Sequence, residues 1–166
     1  MDRVYIETSV VSFATARPSR DSVVAVLQQQ ARRWWDEIRP HYRIVTSQFV
    51  IDEAALGDCD AAKRRLALLD SIPLIVPGDE TERIADQILA QSLMPSSAKL
   101  DALHVATAAV AGVEYLLTLN CRHIANAHIL PAVYDLLDRE GVRRPLICTP
   151  SEFLGDPEDE RSFDPR

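Results

Sequence analysis

Short apolar runs alternate along this chain with longer stretches whose apolar positions recur every three to four residues. The short runs are "RVYIE" (3–7), "YRIVTS" (42–47), "IPLIV" (72–76), "EYLLTL" (114–119) and "RPLICT" (144–149), and each has strand length. The longer stretches predict helices over 21–38, 47–56, 60–70, 79–93, 100–111 and 128–140. Asp21 and Ser22 are capping candidates for the first, which stops before Pro40. Ile84, Ile88 and Leu89 mark one apolar face in the helix over 79–93. Gly112 and Gly141 close the last two, as a C′ glycine does. Strands alternating with helices predict an α/β fold, a central parallel five-stranded sheet covered on both faces.

Two positions break the pattern. In "VYIETSVVSF" (4–13) a carboxylate, Glu7, ends the first apolar strand. Ligands of parallel sheets sit beyond the carboxyl ends of the strands, near a switch in strand order. Glu7 therefore either faces a functional cleft or is a strand-end acid or a helix cap; Asn120 ends the strand "EYLLTL" in the same way. The second break is "LDALHVATAAVA" (100–111), apolar almost all round except for Asp101, His104 and Thr107. Their i, i+3, i+6 spacing makes one narrow polar stripe. A buried carboxylate there needs a partner, water or a metal. An Asp101–His104 pair, or a helix N-terminal charge, would also explain it.

In "TSQFVIDEAALGD" (46–58), Thr46 or Ser47 is the capping candidate and Phe49, Val50 and Ala54 turn inward. Asp52 and Glu53 diverge by ~100° on a helix, and Glu53 falls close to the face of Phe49. Thr8 and Ser9 offer hydroxyls to a phosphate oxygen or to helix capping. Arg122, His123 and Asn126 follow Asn120 and could line the same rim. His104 would bond Asp101 or substrate, or be a satisfied interior histidine.

The 166 residues suffice for one domain with a sizeable core; 47% are hydrophobic and 26% charged, as in ordinary globular proteins. No apolar run reaches the ~18 residues of a membrane span, and no signal peptide is visible. Three widely spaced cysteines, Cys59, Cys121 and Cys148, read as reduced thiols in a cytoplasmic protein rather than a disulfide framework. A net charge of −7 weighs mildly against a dedicated nucleic-acid binder but leaves room for a local basic groove. Basic residues gather at Arg17 and Arg20, which could flank the cleft, and at Arg32–Arg33 and Lys63–Arg65, which read as solvated helix faces. Trp34 and Trp35 read as core or interface packing. The domain is expected over 1–155, with an acidic, frayed tail over 156–166.

Glu7, Glu53, Asp101 and Asn120, in that order on a βα chain, resemble the PIN-domain nucleases and, more narrowly, the VapC-like toxins of bacterial toxin–antitoxin pairs. "YIETSVVSF" resembles the family's first acidic motif, "TSQFVIDE" its second, "LDALHVATA" its third and "LLTLNCRHIANA" a version of its fourth, with "TPSEFLG" after the last strand. The resemblance implies a three-layer α/β/α sandwich. It also implies acids at the sheet's carboxyl edge that bind Mg²⁺ or Mn²⁺, and cleavage of RNA. Glu7 and Asn120 stand where that family commonly has Asp. On this reading Glu7, Glu53 and Asp101 ligate the metal and Asn120 joins them in catalysis. Thr8, Ser9, His104, Arg122 and His123 contact substrate, and the partners are RNA, a small antitoxin and a second copy of the chain. The alternative is a weak or inactive PIN-like module that binds RNA or protein. Phosphotransfer on an aspartate fits poorly, because Glu7-Thr8-Ser9 supplies no Asp nucleophile.

Overall fold

The computed structural model describes residues 1–153. The acidic tail expected over 156–166 lies outside them. Five strands, β1 (Arg3–Ile6), β2 (Arg43–Ser47), β3 (Leu74–Ile75), β4 (Tyr115–Leu117) and β5 (Leu146–Cys148), form one sheet in the order β3-β2-β1-β4-β5. Every pairing is parallel. The chain steps outward from β1 to β2 and β3, then returns to start again at β4 and β5. Right-handed crossovers therefore place the first helices on one face and the later ones on the other. Helices α1 (Thr8–Thr15), α2 (Ser22–Arg33), α3 (Gln48–Ala54) and α4 (Cys59–Leu69) belong to the first group; α1 packs on the other three. Helices α5 (Asp79–Ala90), α6 (Lys99–Val110) and α7 (Leu130–Arg139) form the second, with α5 against both neighbours. The result is the expected α/β/α sandwich.

All five expected strands are present, and the differences from expectation are local. Strand β3 shrinks to two residues because Pro73, without an N–H, offers only its carbonyl, to Thr46 N at 3.1 Å. Asp21 caps α2 through Val23 and Val24 N–H, but the regular helix ends at Arg33. A π turn over Trp34–Ile38 follows, then a 3-10 turn containing Pro40, whose ring cannot sit inside a regular helix. Gly112 and Gly141 take positive φ just past α6 and α7, as expected of C′ residues. Helix α1 has no counterpart among the expected helices.

The core runs along both sheet faces. Val4, Tyr5, Ile6, Leu116 and Leu117 are fully buried, and so is Val105 on α6. Every residue of α6 from Ala102 to Ala109 is buried, so any polar group there must find its partner inside the protein. Trp34 and Trp35 pack edge-on in this core, as expected, and Trp34 also meets Phe153 edge-on.

Candidate functional site

The strand order reverses at β1, whose neighbours β2 and β4 lie on opposite sides. The carboxyl ends of β1 and β4 thus flank the crevice where such sheets bind ligands. Glu7 leaves β1 at that edge, its N–H donating to Leu117 O of β4 at 3.1 Å. The residue is 4% exposed. The carboxylate accepts from Ser9 N at 3.0 Å and from Thr118 Oγ1 at 2.7 Å, and also from the Ser9 hydroxyl. Each hydroxyl in turn accepts a backbone N–H, Leu119 N on Ser9 Oγ at 2.7 Å and Asn120 N on Thr118 Oγ1 at 2.9 Å. With those N–H groups donating in, both hydroxyl protons must point at Glu7. Glu7 is at once the N-cap of α1 and the acid at the crevice.

Glu53, on α3, is half-buried. It accepts from the Thr8 hydroxyl and from His104 Nε2, the latter at 2.7 Å. His104 is fully buried, and its Nδ1 lies 2.8 Å from Tyr5 OH, which lies 2.8 Å from Ser47 Oγ. A carboxylate only accepts, so Nε2 carries a proton; in the neutral ring Nδ1 then accepts from Tyr5, and Tyr5 accepts from Ser47. Burial, opposed by the Ser47 bond, holds the Tyr5 phenol far above its usual range, so it stays protonated. Burial pushes the Glu53 carboxyl up, but the bonds from His104 and Thr8 outweigh it, and the net shift is downward. Asp52, one residue earlier, is exposed and accepts from Gln48.

Asp101 lies in the first turn of α6, one turn before His104, yet the two do not pair. Its Oδ1 accepts from Asn120 Nδ2 at 3.0 Å, and its Oδ2 lies 2.7 Å from His123 Nδ1. Asn120 Oδ1 closes the ring by accepting His123 N at 3.1 Å. Thr107, the third residue of the polar stripe, donates to Leu103 O of its own helix and faces no cleft. Arg122 is exposed beside this ring.

One ligand atom each from Glu7, Glu53 and His104 lie within 4.8 Å of one another. Asp101 stands outside that trio, tied to it through Asn120 and Thr118. Among the described residues no lysine or arginine pairs with Glu7, Glu53 or Asp101, although two of these acids share one crevice. Closely placed acids supported only by neutral donors and histidines repel one another, and a divalent cation relieves that repulsion. The donor set therefore fits a hard divalent cation. His104, with both ring nitrogens already bonded, supports Glu53 from behind.

Tyr5, Ser47 and Thr118 were not expected at the site. Tyr5 was legible in principle, because alternation along a strand puts it on the same face as Glu7. Ser47 occupies the N-cap position of α3 without capping it, its hydroxyl being committed to Tyr5; Thr46 donates to Ile6 O instead. Among the described residues no helix is long and apolar enough to cross a membrane.

The fold agrees with comparison to known families. The family model described as PIN domain matches residues 4–128, which hold all nine expected site residues. No curated protein and no solved structure matches the chain. A nuclease-type fold whose matched span covers most of the sequence leaves one assignment: the chain belongs to the PIN-domain family.

Proposed function

We propose that this protein is a divalent-metal-dependent endoribonuclease and the toxin of a toxin–antitoxin pair. The observation that carries the reading is the convergence of Glu7, Glu53 and His104 at the β1/β4 switch point, with, among the described residues, no lysine or arginine to neutralise the acids. Glu7 and Glu53 would hold the cation, with Asp101 at its rim. When bound, the cation supplies an activated water and neutralises charge on the leaving oxygen. The remaining work falls to the chain. Ser9 and Thr118 lock the Glu7 carboxylate, so it needs little reorganisation on binding. His104, steadied by Tyr5, orients Glu53 in the manner of an outer-shell partner. Asn120 and His123 fix Asp101. Exposed Arg122, beside His123, would meet a phosphate.

The toxin assignment rests on the similarity of the four motifs and of "TPSEFLG" to VapC-like toxins. The competing reading, a weak or inactive module, is favoured by Asn120, a neutral group that already donates to Asp101. Purified protein incubated with structured and single-stranded RNA separates the two. The nuclease reading expects cleavage with Mg²⁺ or Mn²⁺ that EDTA abolishes. RNA left intact at saturating Mn²⁺ would leave the binding module as the better account. Growth arrest on expression, relieved by the product of a neighbouring small reading frame, tests the toxin role.

A further inference from the structure

A second polar feature lies at the far end of α1. A cavity of about 280 Å³ opens between the end of α1 and the start of α4, lined by Ser12, Thr15, Arg17, Asp58, Arg64 and Arg65. Three guanidinium groups meet one carboxylate there, in a protein whose net charge is −7. Asp58 is already engaged, capping α4 through Ala61 N. Among the described residues none of the three arginines forms an ion pair, whereas Arg3, Arg83, Arg143 and Arg144 all do.

The basic lining is held in place from behind. Arg64 Nε donates to Thr15 O, the last carbonyl of α1, at 3.0 Å. Arg65 donates to Ala54 O at 2.9 Å and to Leu56 O at 2.5 Å, at the end of α3. These bonds fix the planes of two guanidiniums, while among the described residues the terminal amino groups of Arg64 and the head of Arg17 engage no acceptor. Orientation paid for by the fold favours planar, bidentate recognition of an oxyanion.

The cavity is also connected to the acidic crevice. Thr8, Ser12 and Thr15 fall at i, i+4 and i+7, one stripe along α1. Thr8 donates to Glu53 at one end, and Thr15 lines the cavity at the other. Seven residues of helix span ~10 Å, a distance of a few nucleotides along a strand. Arg65 likewise bonds the carbonyl of Ala54, the residue after Glu53.

We propose that this arginine-lined cavity is a phosphate-binding subsite that holds the backbone of a single-stranded nucleic acid a few nucleotides away from the phosphate at the acidic crevice. The inference rests on the ribonuclease reading and adds the path of the strand: along α1, from Thr8 to Arg17.

The Arg17 side chain is exposed and, among the described residues, bonded to none. Gln28 Nε2 uses only the Arg17 backbone carbonyl, at 3.0 Å, so side-chain replacement leaves the fold intact; unchanged thermal melting checks this. Binding of a labelled twelve-nucleotide single-stranded RNA is followed by fluorescence anisotropy across a salt series, with Ca²⁺ in place of Mg²⁺. Arg17→Ala is expected to weaken binding about three- to tenfold at low salt and to flatten the salt slope by ~0.7, one phosphate contact. Arg17→Lys should keep the slope. Arg43→Ala removes the same charge at the opposite edge of the sheet and should change neither quantity. Equal effects of Arg17→Ala and Arg43→Ala, or no effect of Arg17→Ala, overturn the subsite. Arg17-dependent binding of a poly-glutamate peptide without Arg17-dependent RNA binding reassigns the cavity to an acidic protein and also overturns it. Cleavage by wild type is measured in parallel. Cleavage with an Arg17-independent slope sinks the subsite alone; an Arg17-dependent slope without cleavage sinks the nuclease reading and leaves the subsite standing.

Discussion

Two histidine–carboxylate pairs sit within one helix turn of each other and do different jobs. His104–Glu53 and His123–Asp101 have the same 2.7 Å separation. His104 is fully buried, and its pair is assembled from β1, β2, α3 and α6, with both ring nitrogens bonded. His123 and Asp101 keep about a fifth of their side-chain surface in water, 23% and 19%, and join a post-strand loop to the start of α6. The first pair is part of the sheet's interior, and removing either member strands buried polar groups. The second is a rim contact that water can replace. Equal distances therefore conceal unequal consequences, and burial decides which pair supports the fold.

The largest expected effect is on chemistry at the rim. Asp101→Asn keeps the shape but removes a charge beside the crevice. Metal-dependent RNA cleavage should fall by about 10²-fold or more, a loss of ~2.7 kcal/mol in transition-state stabilisation, with urea denaturation near wild type. Equal cleavage at matched Mn²⁺ would show that Asp101 is only structural.

Next in size is stability at the buried pair. His104→Ala leaves Glu53 and the Tyr5 hydroxyl without their partner and opens a cavity. It should cost about 2–4 kcal/mol in urea unfolding. His123→Ala, by contrast, should cost less than about 1 kcal/mol. Comparable losses at both positions would erase the distinction between interior and rim.

Much of this distinction was legible in the sequence, for a physical reason. An acid at the end of an apolar strand and a polar stripe on an apolar helix are costly unless they serve a site, so Glu7, Asp101 and His104 stood out. Their partners did not. Asp101 pairs with His123 rather than His104, because partner choice depends on how the loop after β4 folds over α6. Helix α1 was hidden because "TSVVSFAT" is rich in β-branched residues and reads as a continuation of β1; Glu7 caps it through tertiary geometry. Arg64 and Arg65 looked like a solvated face because one sequence does not reveal that the ends of α1 and α3 lie beside them.

The smallest expected effect sharpens the rim further. Asn120 donates to Asp101, which an aspartate cannot do. Asn120→Asp replaces that bond with like charges, so the metal-free protein should lose about 1 kcal/mol. Mn²⁺ should recover that loss, because a charged oxygen is a better ligand for a hard cation. Thermal melting with and without Mn²⁺ reads both effects, and an Mn²⁺-induced rise no larger than that of wild type would take Asn120 off the site.

The central claim is that Glu7 anchors a divalent-cation site at the β1/β4 switch point. Calorimetric titration of Mn²⁺ into wild type and Glu7→Gln tests it most directly. Wild type should bind saturably, and Glu7→Gln should bind at least about tenfold more weakly, ~1.4 kcal/mol. The melting temperature of Glu7→Gln should fall, because an amide NH2 cannot accept the hydroxyl protons of Ser9 and Thr118, so both proteins are titrated well below that melting temperature. Identical Mn²⁺ affinity in the two proteins would contradict the account.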